Sequence, residues 1–171
     1  SSFLWSNLYA HQRNRILTFL DPTSDPLGAG YQIIQSITAI GSGGFLGKGF
    51  GQGSQTHLRF LPVRDSDFII SVIGEEFGFI LIFAVFAIFY FLLHNVINSS
   101  SKLNNKFGSF VLIGFVSTIF FHVIINMGMV VSLFPVTGLP LPFISYGGTF
   151  LLTMITIISI INNIISSDIE V

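Results

Sequence analysis

A long stretch without charge is the feature that most limits what this chain can fold into. Between Lys106 and Asp168 there is no Asp, Glu, Lys or Arg, and a second apolar run covers positions 68–93. A hydrocarbon core of about 30 Å needs about 20 consecutive apolar residues in a helix. The charge-free stretch is interrupted by LFPVTGLPLP, whose Pro and Gly residues cannot continue a helix. The sequence therefore predicts three membrane-spanning helices, at 67–93, 107–134 and 141–165.

Composition supports an all-α polytopic membrane protein. Hydrophobic residues make up 51% of the chain and charged residues 9%, whereas soluble domains have about 25% charged residues. A net charge of −1 without a basic run gives no surface for nucleic acid. These 171 residues contain no cysteine, which excludes disulfides and thiolate metal sites within them. The four His lack paired spacing, so we predict no metal site made by the protein alone.

The polar segments between the spans indicate an orientation. The loop 94–106 contains Lys102 and Lys106, and the positive-inside rule places it in the cytoplasm together with the tail 166–171. Residues 1–66 and the turn 135–140 then lie outside the cell. Most of the basic residues lie in the segment 1–66, so a plain charge count favours the opposite orientation. We prefer the first because long segments cross the membrane largely regardless of charge.

The segment 1–66 contains two patterns. In YQIIQSITAI, the side chains of Tyr31, Ile34 and Ile37, extended by Ile33 and Ile40, share one side of an amphipathic helix, which would lie in the bilayer interface or pack on the bundle. GSGGFLGKGFGQGS follows; its spacing matches neither a P-loop nor GxGxxG. This segment is either a flexible loop near the membrane surface or a main-chain cradle for a phosphate or sugar, with Lys48 as its charge.

Carboxylates cluster where the first predicted span begins. Asp65 and Asp67 precede the apolar run, and Glu75 and Glu76 lie inside it. Asp65 is typical of a helix N-cap, whereas Asp67, near Arg64, lies where the helix leaves water and is placed to act as a general base. A charge in lipid is costly, so at least one of the two glutamates must face a polar cavity or form an interhelical hydrogen bond.

The second predicted span has a polar stripe. Gly114, Thr118, His122 and Asn126 follow one another at i, i+4 spacing and share one helix face. Such a stripe either packs closely against another helix through hydrogen bonds or lines the cavity into which the glutamates point.

Four blocks of sequence resemble the SEDS family (shape, elongation, division and sporulation), the polytopic glycosyltransferases that polymerise lipid II into peptidoglycan. They are RILTFLDPTSDPLGAGYQIIQS, AIGSGGFLGKGFGQGSQ, FLPVRDSDFIISVIGEEFG and NMGMVVSLFPVTGLPLPFISYGG. His122 and the absence of Lys from PVTGLPLP resemble the elongation member RodA more than the division member FtsW. The resemblance implies the C-terminal portion of a fold of about ten helices: the end of a transmembrane helix in SSFLWSNL, a large extracytoplasmic loop and three transmembrane helices.

The family pattern Phe-Leu-Pro-Glu-x-His-Thr-Asp-Phe implies the catalytic residue. Its Asp corresponds to Asp67, while Val63, Asp65 and Ser66 replace the Glu, the His and the Thr. The resemblance implies that Asp67 deprotonates the 4-hydroxyl of an acceptor lipid II, and that undecaprenyl pyrophosphate leaves the donor. The departure at Val63 and Asp65 puts in question any role of the family's Glu and His.

The resemblance also implies roles for other residues and partners. Lys48, Arg64 or a divalent cation (Mg or Mn) would neutralise the pyrophosphate. A larger set would line or support the cavity: Glu75, His122, Asn126, Ser145, Tyr146, Gly147 and Gly148. The implied partners are lipid II, membrane lipids, a class B penicillin-binding protein and proteins of the cell-elongation complex, with no nucleic acid. The implied location is the bacterial inner membrane, with the active site on its extracytoplasmic face.

Two other functions remain open from the sequence. Intramembrane acids and a Pro-broken helix junction also suit a flippase for lipid-linked precursors, which would depend on midplane groups such as Glu75 and His122 more than on Asp67. The segment is also compatible with a non-catalytic truncated copy, and we expect it to be inactive by itself.

Overall fold

The computed structural model describes residues 9–25, 28–57 and 66–169. Over these residues the chain is helical, without strands, as predicted. The helices are α1 (Ala10–Leu20), α2 (Ala29–Gly43), the single turn α3 (Ser54–His57), α4 (Ile69–Ser100), α5 (Lys106–Val130) and α6 (Gly148–Ile169).

Three of these helices, α4, α5 and α6, are long and apolar enough to cross a membrane. Their bounds differ from the predicted ones. α4 continues through Ser100 and α5 begins at Lys106, so the inter-span loop shortens to 101–105. The Ser100 hydroxyl lies 2.8 Å from that of Ser109. α5 begins after Asn105, whose side chain accepts hydrogen bonds from the first amides of the helix. α6 begins at Gly148 rather than at 141, because the Pro-rich segment continues as turns to Gly147.

A sharp break divides α4. Gly78 has φ 76° and ψ −174°, a conformation that is essentially restricted to glycine. The main-chain groups around the break are paired with the glycine-rich segment instead of within the helix. Four hydrogen bonds make this connection: Lys48 N to Glu75 O, Gly49 N to Glu76 O, Phe79 N to Gly44 O and Ile80 N to Phe45 O. The glycine-rich segment is therefore an ordered partner of α4, and the Lys48 and Gly49 amides are not available to a phosphate.

α2 packs along the first part of α4, one of the two placements that the sequence allowed. Its buried face contains Ile33, Ser36 and Ala39, whereas Ile34 and Ile37 of the predicted apolar face are exposed. Small residues are favoured where membrane helices approach closely, while large apolar side chains tolerate lipid. The face that packs on α4 therefore includes only Ile33 and Ile40 of the predicted apolar side. Ser36 lies at the centre of this contact, where its hydroxyl is 2.8 Å from that of Ser71.

The apolar core lies in the seam between α4 and α5. It is formed by Ile82, Val85 and Phe89 from α4 and by Val116, Ile119 and Val123 from α5. α6 packs on this pair more loosely, since only 11% of its apolar stretch is buried within the described structure. The polar residues that precede α4 and α6 are thereby brought to one end of the bundle.

Candidate active site at the start of α4

Asp67 lies in the turn that leads into α4 and is partly buried. Its main-chain carbonyl accepts a hydrogen bond of 3.0 Å from Asn126 Nδ2 of α5. The same amide group donates to Leu139 O, in the Pro-rich turn, at 2.7 Å. Asn126 is fully buried, and its two hydrogen bonds join α5, the Pro-rich turn and the start of α4 at the residue that the resemblance predicts to be catalytic.

A second clamp acts on the neighbouring residue. Ser145 Oγ donates to Ser66 O and accepts a hydrogen bond of 2.8 Å from the Leu141 amide. Ser145 is also buried. The main-chain carbonyls of residues 66 and 67 are thus each bound by a side chain from a different element, which fixes the start of α4.

The Asp67 carboxylate faces a glycine. A Cβ atom added at Gly138, which has φ +71°, would lie 3.4 Å from Asp67 Oδ2. Within the described part of the chain, no side chain or amide forms a hydrogen bond with this carboxylate. The hydrogen bonds from Asn126 and Ser145 go to the main-chain carbonyls of residues 67 and 66 instead. Among the described residues, Asp67 is thus held through its backbone and not through its carboxylate.

His122 and Asn126 are the members of the predicted stripe that reach this site. His122 is partly buried, with Nδ1 3.4 Å from Pro140 O and its ring 5.3 Å from the ring of Phe150. Gly114 and Thr118 are exposed, and Thr118 Oγ1 donates to Gly114 O within the helix at 3.0 Å. The stripe therefore divides into a half at the site and a half on the open surface of α5.

Lys48 and Glu75 form a cluster of their own. Lys48 Nζ donates to Glu75 Oε1 at 2.9 Å, and the same oxygen accepts from Ser54 Oγ at 3.2 Å and from the Gln55 amide at 3.0 Å. Glu75 is completely buried, whereas the Lys48 side chain is 29% exposed. In the described residues no hydrogen bond joins this cluster to Asp67, so Lys48 could neutralise a pyrophosphate only if its ion pair opened.

The remaining predicted residues that the structure describes follow Ser145 in the chain. Tyr146 is 83% exposed. Gly147 ends the turn before α6 and Gly148 begins the helix. Gly147 O accepts a hydrogen bond from the Leu151 amide at 2.8 Å. Arg64, Val63 and Asp65 lie outside the described residues. Within the part that is described, no three His, Asp or Glu side chains form a cluster that could hold a metal ion.

Sequence reasoning did not identify Gly138 or the main-chain targets of Asn126 and Ser145. The PVTG tetrad contains a signal for the glycine, since a tight turn often requires a residue with positive φ. No local pattern indicates the hydrogen bonds from Asn126 and Ser145, because their acceptors are 59 and 79 positions away.

Comparison with known proteins gives the same identification as the sequence blocks. Residues 1–169 match the cell cycle protein family of FtsW, RodA and SpoVE. Peptidoglycan glycosyltransferase MrdB of Escherichia coli K12 is 43% identical over 162 residues, which cover 94% of this chain and 44% of the relative. Peptidoglycan glycosyltransferase RodA of Treponema pallidum is 40% identical over 146 residues, covering 85% and 34%.

A solved structure agrees with these relatives. One chain of a peptidoglycan synthase complex, described as coordinating polymerization and crosslinking, superimposes with a TM-score of 0.73 at 32% identity, covering 96% of this chain and 44% of that one. The chain thus spans less than half the length of the proteins that it matches. The predicted resemblance is confirmed: the chain belongs to the FtsW, RodA and SpoVE family.

Proposed function

We propose that the protein containing this segment is a peptidoglycan glycosyltransferase that polymerises lipid II, with Asp67 as its general base. The observation that supports this most directly is the way Asp67 is held. Asn126 and Ser145 bind the main chain at residues 66 and 67, and neither uses the carboxylate. A base needs this combination of a fixed position and a free acceptor oxygen. The names of the relatives support the reaction class.

In this mechanism Asp67 accepts the proton of the acceptor's GlcNAc 4-hydroxyl. The hydroxyl oxygen then attacks the anomeric carbon of the donor, and the bond between that carbon and the phosphate oxygen breaks. Undecaprenyl pyrophosphate leaves with the electron pair, and the linkage inverts from α to β. One base suffices because a pyrophosphate leaving group needs charge neutralisation more than protonation.

The position of Asp67 at the end of a membrane-spanning helix suits substrates of this kind. The polyprenyl tails would lie in the bilayer, and the sugars would lie in water beside the start of α4. Since Lys48 is paired with Glu75, Arg64 or a divalent cation such as Mg or Mn is the better candidate to neutralise the pyrophosphate. When bound, such a cation would stabilise the charge on the leaving group.

The proposed setting is the bacterial inner membrane, with Asp67 on the extracytoplasmic face. A class B penicillin-binding protein of the cell-elongation complex would crosslink the new strand. The similarity to a chain of a complex that coordinates polymerization and crosslinking supports this partner. A lipid flippase is less well supported, because Glu75, the acid it would depend on, is buried and already accepts hydrogen bonds from three donors.

The test is lipid II polymerisation by the full-length protein with its penicillin-binding partner. We expect Asp67→Asn to lower the rate by about 10²–10⁴-fold, the usual contribution of a general base. Asp168→Asn, the same substitution at the opposite end of the bundle, should keep the parental rate. Glycan strands produced by Asp67→Asn at near the parental rate, from a complex that is still folded, would remove Asp67 from the chemistry.

A further inference from the structure

Residues 28–57 enter the bundle and turn back without crossing it. α2 runs beside the first part of α4, with Ser36 at the level of Ser71 and Gly43 against Gly74. The glycine-rich segment 44–53 follows at the deepest point, and α3 brings the chain back with Ser54 at Glu75. The chain then leads to Ser66, at the start of α4. This path is that of a re-entrant hairpin.

The tip of this hairpin is built into the break of α4. The main-chain groups freed around Gly78 are paired with residues 44–49, as is required of irregular backbone that lies at membrane depth. The two backbones are almost in contact: a Cβ atom at Gly78 would lie 2.4 Å from the Gly47 amide nitrogen. A side chain at either glycine would separate the hairpin from α4.

The charge pattern of the hairpin also suits a membrane. Lys48 is the only Asp, Glu, Lys or Arg between Gly28 and His57. Its ammonium group turns inward to Glu75, whose carboxylate also accepts from Ser54 and Gln55 on the returning arm. Glu75 thus binds the tip and the returning arm of the hairpin and neutralises its single charge.

Three large apolar side chains project from the tip. Phe45, Leu46 and Phe50 are 78%, 80% and 82% exposed. They extend an apolar surface of α4, since Phe45 contacts Phe79 and Phe50 contacts Phe77 with ring centroids 6.5 Å and 6.0 Å apart. The α4 residues that bind the tip before the break, Glu75 and Glu76, lie six and seven positions after Ile69, about 9–11 Å along the helix. Water is an unfavourable environment for such a surface.

We infer that residues 28–57 form a re-entrant hairpin whose tip, Phe45, Leu46 and Phe50, inserts into the lipid hydrocarbon of the leaflet where α4 begins, with the Glu75–Lys48 ion pair as its latch. The occupant of this surface is the acyl chains of the bilayer. The inference goes beyond the catalytic assignment of Asp67 and does not depend on it.

The insertion is tested by labelling of single cysteines in proteoliposomes. The full-length protein is used, with any cysteine outside the segment replaced. Leu46→Cys is compared with Thr137→Cys, an exposed position in the Pro-rich turn at the same end of the bundle. With a membrane-impermeant maleimide, we expect Leu46→Cys to react at least about tenfold more slowly, because hydrocarbon excludes the reagent. A fluorophore coupled to Leu46→Cys should be quenched by lipids with brominated acyl chains.

Two outcomes would overturn the insertion. Equal labelling of Leu46→Cys and Thr137→Cys would place the tip in water. Slow labelling without quenching by brominated lipids would show that another part of the protein covers the tip.

The latch is tested in the Leu46→Cys background. Glu75→Gln should raise the labelling rate several-fold, because the Lys48 charge loses its counter-ion. Glu76→Gln is the matched control, since this neighbouring carboxylate is also buried but has no hydrogen-bond partner in the described part of the chain. If Glu75→Gln fails to fold, Lys48→Met replaces it, and Thr137→Cys labelling reports whether each variant is intact. Protection of Leu46→Cys that is unchanged in every folded latch variant would overturn the latch.

Discussion

Replacing Asn126 by Leu is the sharpest test of how Asp67 is positioned. The change keeps the size of a fully buried side chain and removes the hydrogen bonds to Asp67 O and Leu139 O, of 3.0 Å and 2.7 Å. A buried carbonyl left without a donor costs about 1–3 kcal/mol, so two cost about 2–6 kcal/mol. Asn126 Oδ1 is itself buried without a partner in the described structure, and its removal returns about 1–3 kcal/mol. At the midpoints of these ranges, the net loss of stability is about 2 kcal/mol.

The effect on activity should be larger than this loss of stability explains. At saturating lipid II, we expect Asn126→Leu to lower the polymerisation rate by about 10²-fold, the usual effect of moving a catalytic group by about 1 Å. Stability is measured by thermal unfolding in detergent, and the rate from glycan-strand synthesis by the folded fraction. Asn98→Leu, the same substitution at an exposed position of α4, should change neither quantity. A folded Asn126→Leu variant that keeps the parental rate would refute positioning through the Asp67 carbonyl.

Three other substitutions test the contacts around the site. Gly78→Ala should lower the free energy of unfolding by at least about 3 kcal/mol, because a strained backbone position costs about 1–3 kcal/mol and the added Cβ also meets backbone at 2.4 Å. Gly41→Ala is the control, since nothing lies within 4 Å of a Cβ added there. Equal melting temperatures of the two variants would contradict the prediction. Ser36→Ala should cost about 1–3 kcal/mol by removing the donor to Val130 O at 2.6 Å, and an unchanged melting temperature would argue against this contact. Ser145→Ala should slow polymerisation with little change in lipid II affinity, whereas a change in affinity alone would indicate a substrate contact.

The sequence predicted those features that depend on local composition. Apolar runs of the required length located the three spans, and the motif around Asp67 located the candidate base. The break at Gly78 could not be predicted, because glycine is common in membrane helices and GEEFGFI contains no other signal for a break. The break is stabilised by residues 44–49, which lie 29–34 positions before Gly78. Hydrogen bonds between segments this far apart cannot be predicted from a short stretch of sequence.

The same limit explains Lys48 and Glu75. The sequence suggested a role for each of them at the substrate cavity, because an isolated charge near a membrane invites a functional interpretation. Their pairing across 27 positions gives both a partner that the sequence could not indicate. The sequence indicated the apolar side of α2 but not the small residues Ser36 and Ala39 of the face that packs on α4, because small residues are favoured where membrane helices approach closely.

In the described structure, three residues of this segment position Asp67. Asn126 belongs to α5, and Gly138 and Ser145 belong to the turns between α5 and α6. α5 and these turns therefore meet at the start of α4. The exposed half of the α5 stripe and the open surface of α6 do not take part in this arrangement. Substitutions on those surfaces should therefore leave the geometry of Asp67 unchanged. If they alter polymerisation, the change should lie in how substrate or partner is bound, and the dependence of the rate on lipid II concentration separates this effect from a loss of the base.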